Sequence, residues 1–235
     1  MQTSLGPSSA HEAGGHALSW PGAQLTYWPP KAGPLLRRGL PVRHAYLLQR
    51  GAGYVTCRAT PSMDIMLSVL RPGDWIGPEQ ILAGETPLLE TRLLVTSELL
   101  RVERQQWLDS ANARPGFALS VLAQAVRRQR EITDRLTACL IEPIEDRLPR
   151  MLADLCEPLG LQSSSAPVQL PLTQEHLARM AGCTRATLHR GLIALARIGL
   201  LRLHRGIVEV PDPALLGRYA DGFRPPALQP LAVLA

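Results

Sequence analysis

Residues 173–190 have the sequence TQEHLARMAGCTRATLHR, the pattern of two short helices joined by a tight turn. Thr173 and Thr184 stand where a side-chain hydroxyl can cap the N-terminus of each helix. Gly182 lies between them, where the chain must turn sharply and glycine tolerates a positive φ. Two helices crossed at such a turn can present the second one to the major groove of DNA.

The sequence that follows predicts a β-hairpin. Residues 201–204 and 207–210 alternate like short strands, and Arg205-Gly206 forms the turn between them. Helices and hairpin together predict a winged helix-turn-helix. Residues 172–206 carry six arginines and one acidic residue, a net charge of +5 that equals the formal excess of the whole chain. This clustering is typical of a surface that neutralises DNA phosphates. The alternative is a helical bundle with solvated surface charges.

Length and composition limit the remaining possibilities. The chain has 235 residues, 46% of them hydrophobic, which is enough for two small cores. No apolar run reaches the ~18 residues that span a membrane. The N-terminus lacks a secretory pattern, so we expect a cytoplasmic location and no membrane partner. The four cysteines are widely spaced, and no metal site or cofactor is predicted from them.

The rest of the chain divides into further regions. Residues 1–22, rich in Gly, Ser, Ala and Pro, are expected to be a disordered tail. Residues 23–113 predict a small all-β domain, because Gly and Pro punctuate short strand-like segments. These segments are residues 45–48, 53–57, 65–70, 91–95 and 98–102. Residues 143–222 contain the winged helix-turn-helix, and residues 223–235 form a loose tail.

Residues 114–142 predict a long dimerisation helix. Alternating steps of three and four residues connect a narrow seam of seven positions, as in a two-stranded coiled coil. They are Leu119, Leu122, Val126, Gln129, Thr133, Leu136 and Leu140. We therefore expect a homodimer, which would supply the two-fold symmetry that helix-turn-helix proteins use on palindromic sites. The alternative is a helix packed on its own β-domain.

The order of these parts resembles the CRP/FNR family of bacterial transcription regulators. Residues 71–77, RPGDWIG, resemble a strand turn of the family's β-roll, and residues 182–190 resemble its recognition helix closely. The resemblance covers residues 24–220. It implies an α+β fold, with an N-terminal, jelly-roll-like β-roll of the cyclic-nucleotide-binding type, a long dimerisation helix and a C-terminal winged helix-turn-helix. Double-stranded DNA is the implied partner, and RNA polymerase is a candidate partner.

The resemblance assigns DNA contacts residue by residue. Arg185 matches an arginine that contacts guanine, for which a bidentate guanidinium suits O6 and N7. Arg190 matches a second arginine near base edges or phosphates, and Thr184 matches a residue that approaches a phosphate. Ala186 replaces a frequent glutamate, which leaves the half-site open at that base pair. The full expected set is Thr173, Thr184, Arg185, Ala186, His189, Arg190 and Arg205.

The effector pocket departs from the cyclic-nucleotide-binding members of the family. Those members hold the ribose with a glycine-glutamate pair, whereas here Gly77 is followed by Pro78 and the glutamate is displaced to position 79. They hold the phosphate with an arginine-serine pair, whereas residues 85–90 read ETPLLE and contain no arginine. We therefore expect DNA binding without cyclic AMP, because the anion would meet Glu85 and Glu90 there and no guanidinium.

Four residues remain candidates for effector contact: Gly77, Glu79, Arg92 and Thr133. Arg92 is the nearest arginine to the expected phosphate position, and Thr133 matches a position that contacts the nucleotide base.

Two alternatives stay open at this stage. The same type of regulator could be gated by an unusual effector, such as haem or a gas, another small molecule or a nucleotide. If the effector is haem, His44 or Cys57 could be its axial ligand. A cupin-like metal enzyme is the more distant alternative, since it needs clustered histidines with a carboxylate. No nucleophile elbow, P-loop or dinucleotide motif is present, so we do not predict an enzyme.

Overall fold

The computed structural model describes residue 20 and residues 22–60, 63–160, 167–204 and 207–223. The predicted tails at 1–22 and 223–235 lie almost wholly outside the described residues. The predicted hairpin turn Arg205-Gly206 lies outside them as well.

Seven antiparallel strands form the predicted β-roll. One sheet has the strand order β1-β7-β2-β5 and the other has the order β4-β3-β6. The strands are β1 (Gln24–Trp28), β2 (His44–Arg50), β3 (Gly53–Thr60), β4 (Met63–Leu70), β5 (Trp75–Ile76), β6 (Glu90–Leu93) and β7 (Ser97–Glu103). Every predicted strand segment falls in one of them, although β6 ends two residues before the predicted end at 95. Strands β1 and β5 were not predicted.

A buried cluster joins the two sheets of the roll. It includes Leu48 of β2, Leu70 of β4 and Leu99 of β7, all without exposed surface. Successive side chains of a strand point to opposite faces, so one apolar row from each strand can enter this core. Trp75 and Trp107 pack edge to face in the same cluster, with ring centroids 6.2 Å apart.

Two helices inside the predicted all-β region correct the sequence analysis: α1 (Pro78–Ala83) and α2 (Arg104–Ala113). Helix α1 has six residues, too few to show a helical period. In α2, Trp107 is buried and Leu108 and Ala111 are partly buried beside the same core, so the apolar stripe of this helix is short. Glu103 starts α2 by accepting hydrogen bonds from the backbone amides of Gln105 and Gln106.

The predicted long helix is α3 (Pro115–Ile141), which is one residue shorter at each end than the predicted 114–142. Proline suits the first turn of a helix, and Pro143 follows the last one. One face of α3 packs on its own β-roll. There, the Gln124 side chain accepts a hydrogen bond from the Trp75 amide and donates one to the Trp75 carbonyl, both at 2.8 Å.

The C-terminal module has the predicted winged-helix architecture. Its elements are α4 (Ile144–Gly160), β8 (Val168–Leu170), α5 (Gln174–Ala181), α6 (Arg185–Arg197), β9 (Arg202–His204), β10 (Ile207–Val210) and α7 (Pro213–Ala220). The small sheet has the order β8-β10-β9. Helices α4 and α7 and strand β8 were not predicted. The predicted α+β fold, with β-roll, long helix and winged helix-turn-helix, is confirmed.

Helix α5 packs directly on strand β4 of the β-roll. Asp64 of β4 pairs with Arg179 of α5 at 2.7 Å, and Gly182 at the end of α5 lies against Ile65. Nearby, Arg71 pairs with Glu157 of α4 at 2.6 Å. The DNA-binding module is thus held to the β-roll of the same chain by both apolar and ionic contacts. None of the described helices combines the length and apolar character that a membrane span needs.

Candidate DNA-binding surface and effector pocket

The helix-turn-helix is built by the local interactions that its sequence indicates. The Thr173 hydroxyl accepts a hydrogen bond from the His176 amide, and the Thr184 hydroxyl accepts one from the Thr187 amide, both at 3.2 Å. These two caps satisfy amides that have no partner within their helices. Gly182 has φ +64°, so glycine is required at the turn for a conformational reason.

Helix α6 separates a buried face from an exposed one. Leu188, Leu192 and Leu195 are buried with Gly191 against the rest of the module. The opposite face exposes the predicted contact residues Thr184, Arg185, Ala186, His189 and Arg190. This exposed face belongs to the first two turns, the part of a recognition helix that reaches base edges.

A groove of about 1010 Å³ runs between α5, the start of α6 and strand β9. It is lined by Thr173, Gln174, Glu175, Arg185, Ala186, His189, Ile193, Leu203 and His204. Six of the seven predicted DNA-contact residues lie in this groove or beside it on exposed positions. Arg205, the seventh, lies outside the described residues.

The sequence analysis missed Gln174 as a groove residue. Its Oε1 lies 3.3 Å from Nδ1 of His189, so this side chain links the two helices of the motif. The only sequence signal was its position directly after the capping Thr173.

The positive charge of this surface is smaller than the sequence count indicated. Arg179 is paired with Asp64 of the β-roll, and Arg202 pairs with Glu209 at 3.1 Å. Within the described part of the chain, Arg185 and Arg190 form no ion pair, so both remain available to DNA. The available charge is therefore concentrated on the recognition helix.

All seven predicted seam residues of α3 are exposed in the single chain. Leu119 is 65% exposed, Leu122 is 59% exposed and Val126 is 55% exposed. Towards the C-terminus, Leu136 is 41% exposed and Leu140 is 85% exposed. An unpartnered apolar stripe of this length on one helix needs a covering surface.

The predicted effector region is a pocket of about 580 Å³ between the β-roll and α3. Gly77, Glu79 and Thr133, three of the four predicted effector residues, line it. Arg92, the fourth, is not among its lining residues. Arg92 instead pairs with Glu90 at 2.9 Å, while Thr91 between them lines the pocket. The alternation of side chains along β6 explains this result, since neighbouring residues point to opposite faces.

The expectation that no guanidinium would lie in this pocket was wrong. Arg128 of α3 lines it, pairs with Glu79 at 2.9 Å and donates a hydrogen bond to the Trp75 carbonyl at 2.9 Å. The expectation that Glu90 would face the anion was also wrong, whereas Glu85 does line the pocket. The pocket thus contains one guanidinium that is already paired and one further carboxylate.

No cluster of histidine, cysteine and carboxylate ligands that could hold a metal occurs in the part of the chain that the structure describes. His44 and Cys57, the candidate axial ligands, lie on strands of different sheets. Burial, together with the nearby charge of Arg101, lowers the pKa of His44 below its usual value.

Fold and surface together define a class of protein, the winged-helix DNA-binding regulators that carry a β-roll and a long connecting helix. Residues 146–219 match the model of the Crp-like helix-turn-helix domain. These matches confirm the resemblance of this chain to the CRP/FNR family of bacterial transcription regulators.

Individual relatives cover most of the chain. It is 28% identical over 194 residues to the cyclic AMP receptor protein of Thermus thermophilus, covering 83% of this chain and 87% of that protein. It is 25% identical over 198 residues to a CRP-like cAMP-activated global transcriptional regulator of Mycobacterium tuberculosis, covering 81% of this chain and 86% of that protein. A solved CRP/FNR-family regulator from Thermus thermophilus has the same fold, with a TM-score of 0.68 at 19% identity, covering 85% of this chain and 99% of that one.

Proposed function

We propose that this chain binds a two-fold symmetric DNA site as a homodimer and regulates transcription without cyclic AMP, with no enzymatic activity of its own. The observation that carries the proposal is the coexistence of two unpartnered surfaces in one chain. One is the exposed seam of α3, and the other is the exposed, arginine-bearing face of α6.

The dimer follows from the two faces of α3. Its inner face is already occupied by the β-roll, through Val121 and Gln124. Its outer face keeps the 3-4 spacing of a two-stranded coiled coil, and Leu122 and Val126 are more than half exposed there. A second copy of α3 offers the same stripe and would cover both seams with one isologous contact.

A two-fold axis along α3 would relate the two recognition helices. Helix-turn-helix dimers place such helices in successive major grooves, with half-sites about one helical turn apart. Arg185 would read guanine in each half-site by a bidentate contact, and Arg190 would add phosphate or base-edge contact. RNA polymerase stays a candidate partner of such a regulator.

The charge of the pocket supports independence from cyclic AMP. A buried phosphate needs a matched cation, because an unpaired charge is costly to desolvate. The guanidinium of Arg128 is engaged by Glu79 and by a backbone carbonyl, and Glu85 adds a second negative charge. Leu88 and Leu89 also line the pocket and can offer only apolar contact to an anion. The cAMP activation named for the Mycobacterium tuberculosis relative, and the cyclic AMP receptor role named for the Thermus thermophilus relative, are therefore not carried over to this chain.

One observation favours a second candidate, a regulator of the same type gated by a different effector. The pocket of about 580 Å³ is large enough for a small molecule, and its walls include apolar side chains of both the β-roll and α3. A ligand there would touch the seam residues Val126 and Gln129 and could change how the two copies of α3 pack.

Selection of DNA by the full-length protein separates the two candidates. The purified chain, with no ligand added, is mixed with a random duplex library, and the bound DNA is sequenced. An enriched inverted repeat supports the effector-independent regulator. Enrichment that appears only when metabolites from a cell extract are added favours the regulator that is gated by an effector. No enriched repeat under either condition contradicts both.

A further inference from the structure

The hydrogen bond between Gln174 and His189 determines which ring nitrogen of His189 is free. An amide oxygen can only accept, so Oε1 of Gln174, at 3.3 Å from Nδ1 of His189, requires the proton on Nδ1. A neutral imidazole carries one proton, and the other nitrogen is then an acceptor. The free nitrogen of His189 is therefore Nε2, without a proton.

The position of His189 gives this acceptor a target. His189 is exposed and lines the groove together with Arg185 and Ala186, four and three residues earlier on the same helix face. In the major groove, the hydrogen-bond donors of the bases are the exocyclic amino groups, N6 of adenine and N4 of cytosine. Guanine presents two acceptors there, and thymine presents an acceptor and a methyl group.

We propose that Gln174 positions the ring of His189 as a fixed hydrogen-bond acceptor that selects the orientation of one base pair in each half-site, with adenine or cytosine on the strand that His189 contacts. The inference rests on the proposed DNA binding and makes it more specific. Gln174 is the positioning residue, and His189 is the residue that touches the base.

The local structure supports a fixed side chain at position 174. Gln174 is the first residue of α5, directly after the cap Thr173, so its backbone is held by the capping turn. The residue is half-buried, and Leu177 of α5 and Leu188 of α6 are buried in one apolar cluster that joins the two helices. A hydrogen bond between two such fixed positions leaves the imidazole few alternative orientations.

The test uses the selection experiment at pH 8, where an imidazole is ordinarily neutral. His189→Ala first identifies the base pair whose preference depends on His189. We expect the wild-type chain to favour one orientation of that base pair, with adenine or cytosine on the contacted strand, by about fivefold or more over the reversed pair, within the range of one base contact. Gln174→Met keeps the length of the side chain without an acceptor and should remove most of that preference.

Gln174→Glu is the matched variant, because a carboxylate also accepts from Nδ1. It should retain the base preference, even if its negative charge weakens binding to every sequence. Arg185→Ala is the control for folding and should change a different base pair while the His189 preference stays. Circular dichroism of each variant reports whether the domain remains folded.

Three results would overturn the inference while leaving DNA binding intact. Duplexes in which the base pair at the His189 position is reversed, A·T to T·A or C·G to G·C, could bind equally well. Gln174→Met could leave the preference unchanged, or could weaken all sequences equally, as a phosphate contact by Gln174 would. Failure of the wild-type chain to enrich any repeat is different, since it refutes the proposed function itself.

Discussion

Two glycines within helices of the C-terminal module should respond in opposite directions to the same substitution. Gly191 lies in α6, and a Cβ added there would meet Cδ2 of Leu148 at 2.7 Å. Leu148 has no exposed surface, so it has little room to move. Gly217 lies in α7, and an added Cβ would meet nothing within 4 Å.

The expected magnitudes follow from two terms. Replacing a helical glycine by alanine gains about 0.5–1 kcal/mol in either helix, because the backbone loses less entropy on folding. Overpacking a tight core costs about 1–3 kcal/mol, which applies to Gly191 alone. Gly217→Ala should therefore stabilise the protein by up to about 1 kcal/mol. Gly191→Ala should be less stable than Gly217→Ala by about 1–3 kcal/mol.

Urea unfolding followed by circular dichroism measures this difference at a single protein concentration, so that any dimer linkage is the same for both variants. Equal stabilisation by both substitutions would refute the reasoning, because it would mean that α6 does not pack closely on α4 at Gly191.

Three further predictions concern the binding surfaces. Arg185→Ala should weaken the free energy of binding to the selected site by about 1–3 kcal/mol, and that to random DNA by less, as measured by fluorescence anisotropy. Equal losses on both DNAs would mean that Arg185 contacts only phosphate. Leu136→Arg should give a monomer in light scattering, because it buries an unpaired charge in the seam. Thr137→Arg, on the exposed surface beside it, is the control and should stay dimeric. A dimeric Leu136→Arg variant would exclude the seam as the dimer interface. Calorimetry should detect no saturable binding of cyclic AMP to the wild-type chain. The Glu79→Gln variant, which releases Arg128 from its ion pair, should bind cyclic AMP better. Micromolar affinity of the wild-type chain for cyclic AMP would contradict the account of the pocket.

The helix-turn-helix was predictable because its signals are local. A threonine cap, a glycine with positive φ and an apolar period each depend on a few neighbouring residues, and Thr173, Gly182 and Thr184 all behave as predicted. The apolar spacing of α3 likewise predicted its length to within one residue at each end. The DNA contacts and the dimer stay predictions, because the structure contains a single chain.

The pocket could not be predicted from local signals. On α3, a second stripe at steps of three and four residues faces the chain itself and includes Val121, Gln124, Arg128 and Glu131. Most of its members are polar, so an apolar period does not reveal it. Each polar member is satisfied by a partner far away in sequence, as Arg128 is by Glu79, and only the folded chain shows that pairing.

The mass of the protein–DNA complex tests the central claim most directly. The full-length chain is sedimented to equilibrium with a duplex that carries one selected inverted repeat, without any added ligand. The account predicts two chains per duplex, which bind as a dimer. The complex should form at nanomolar protein concentration, as is typical of specific DNA recognition. One chain per duplex, or no complex until a ligand is supplied, would contradict it.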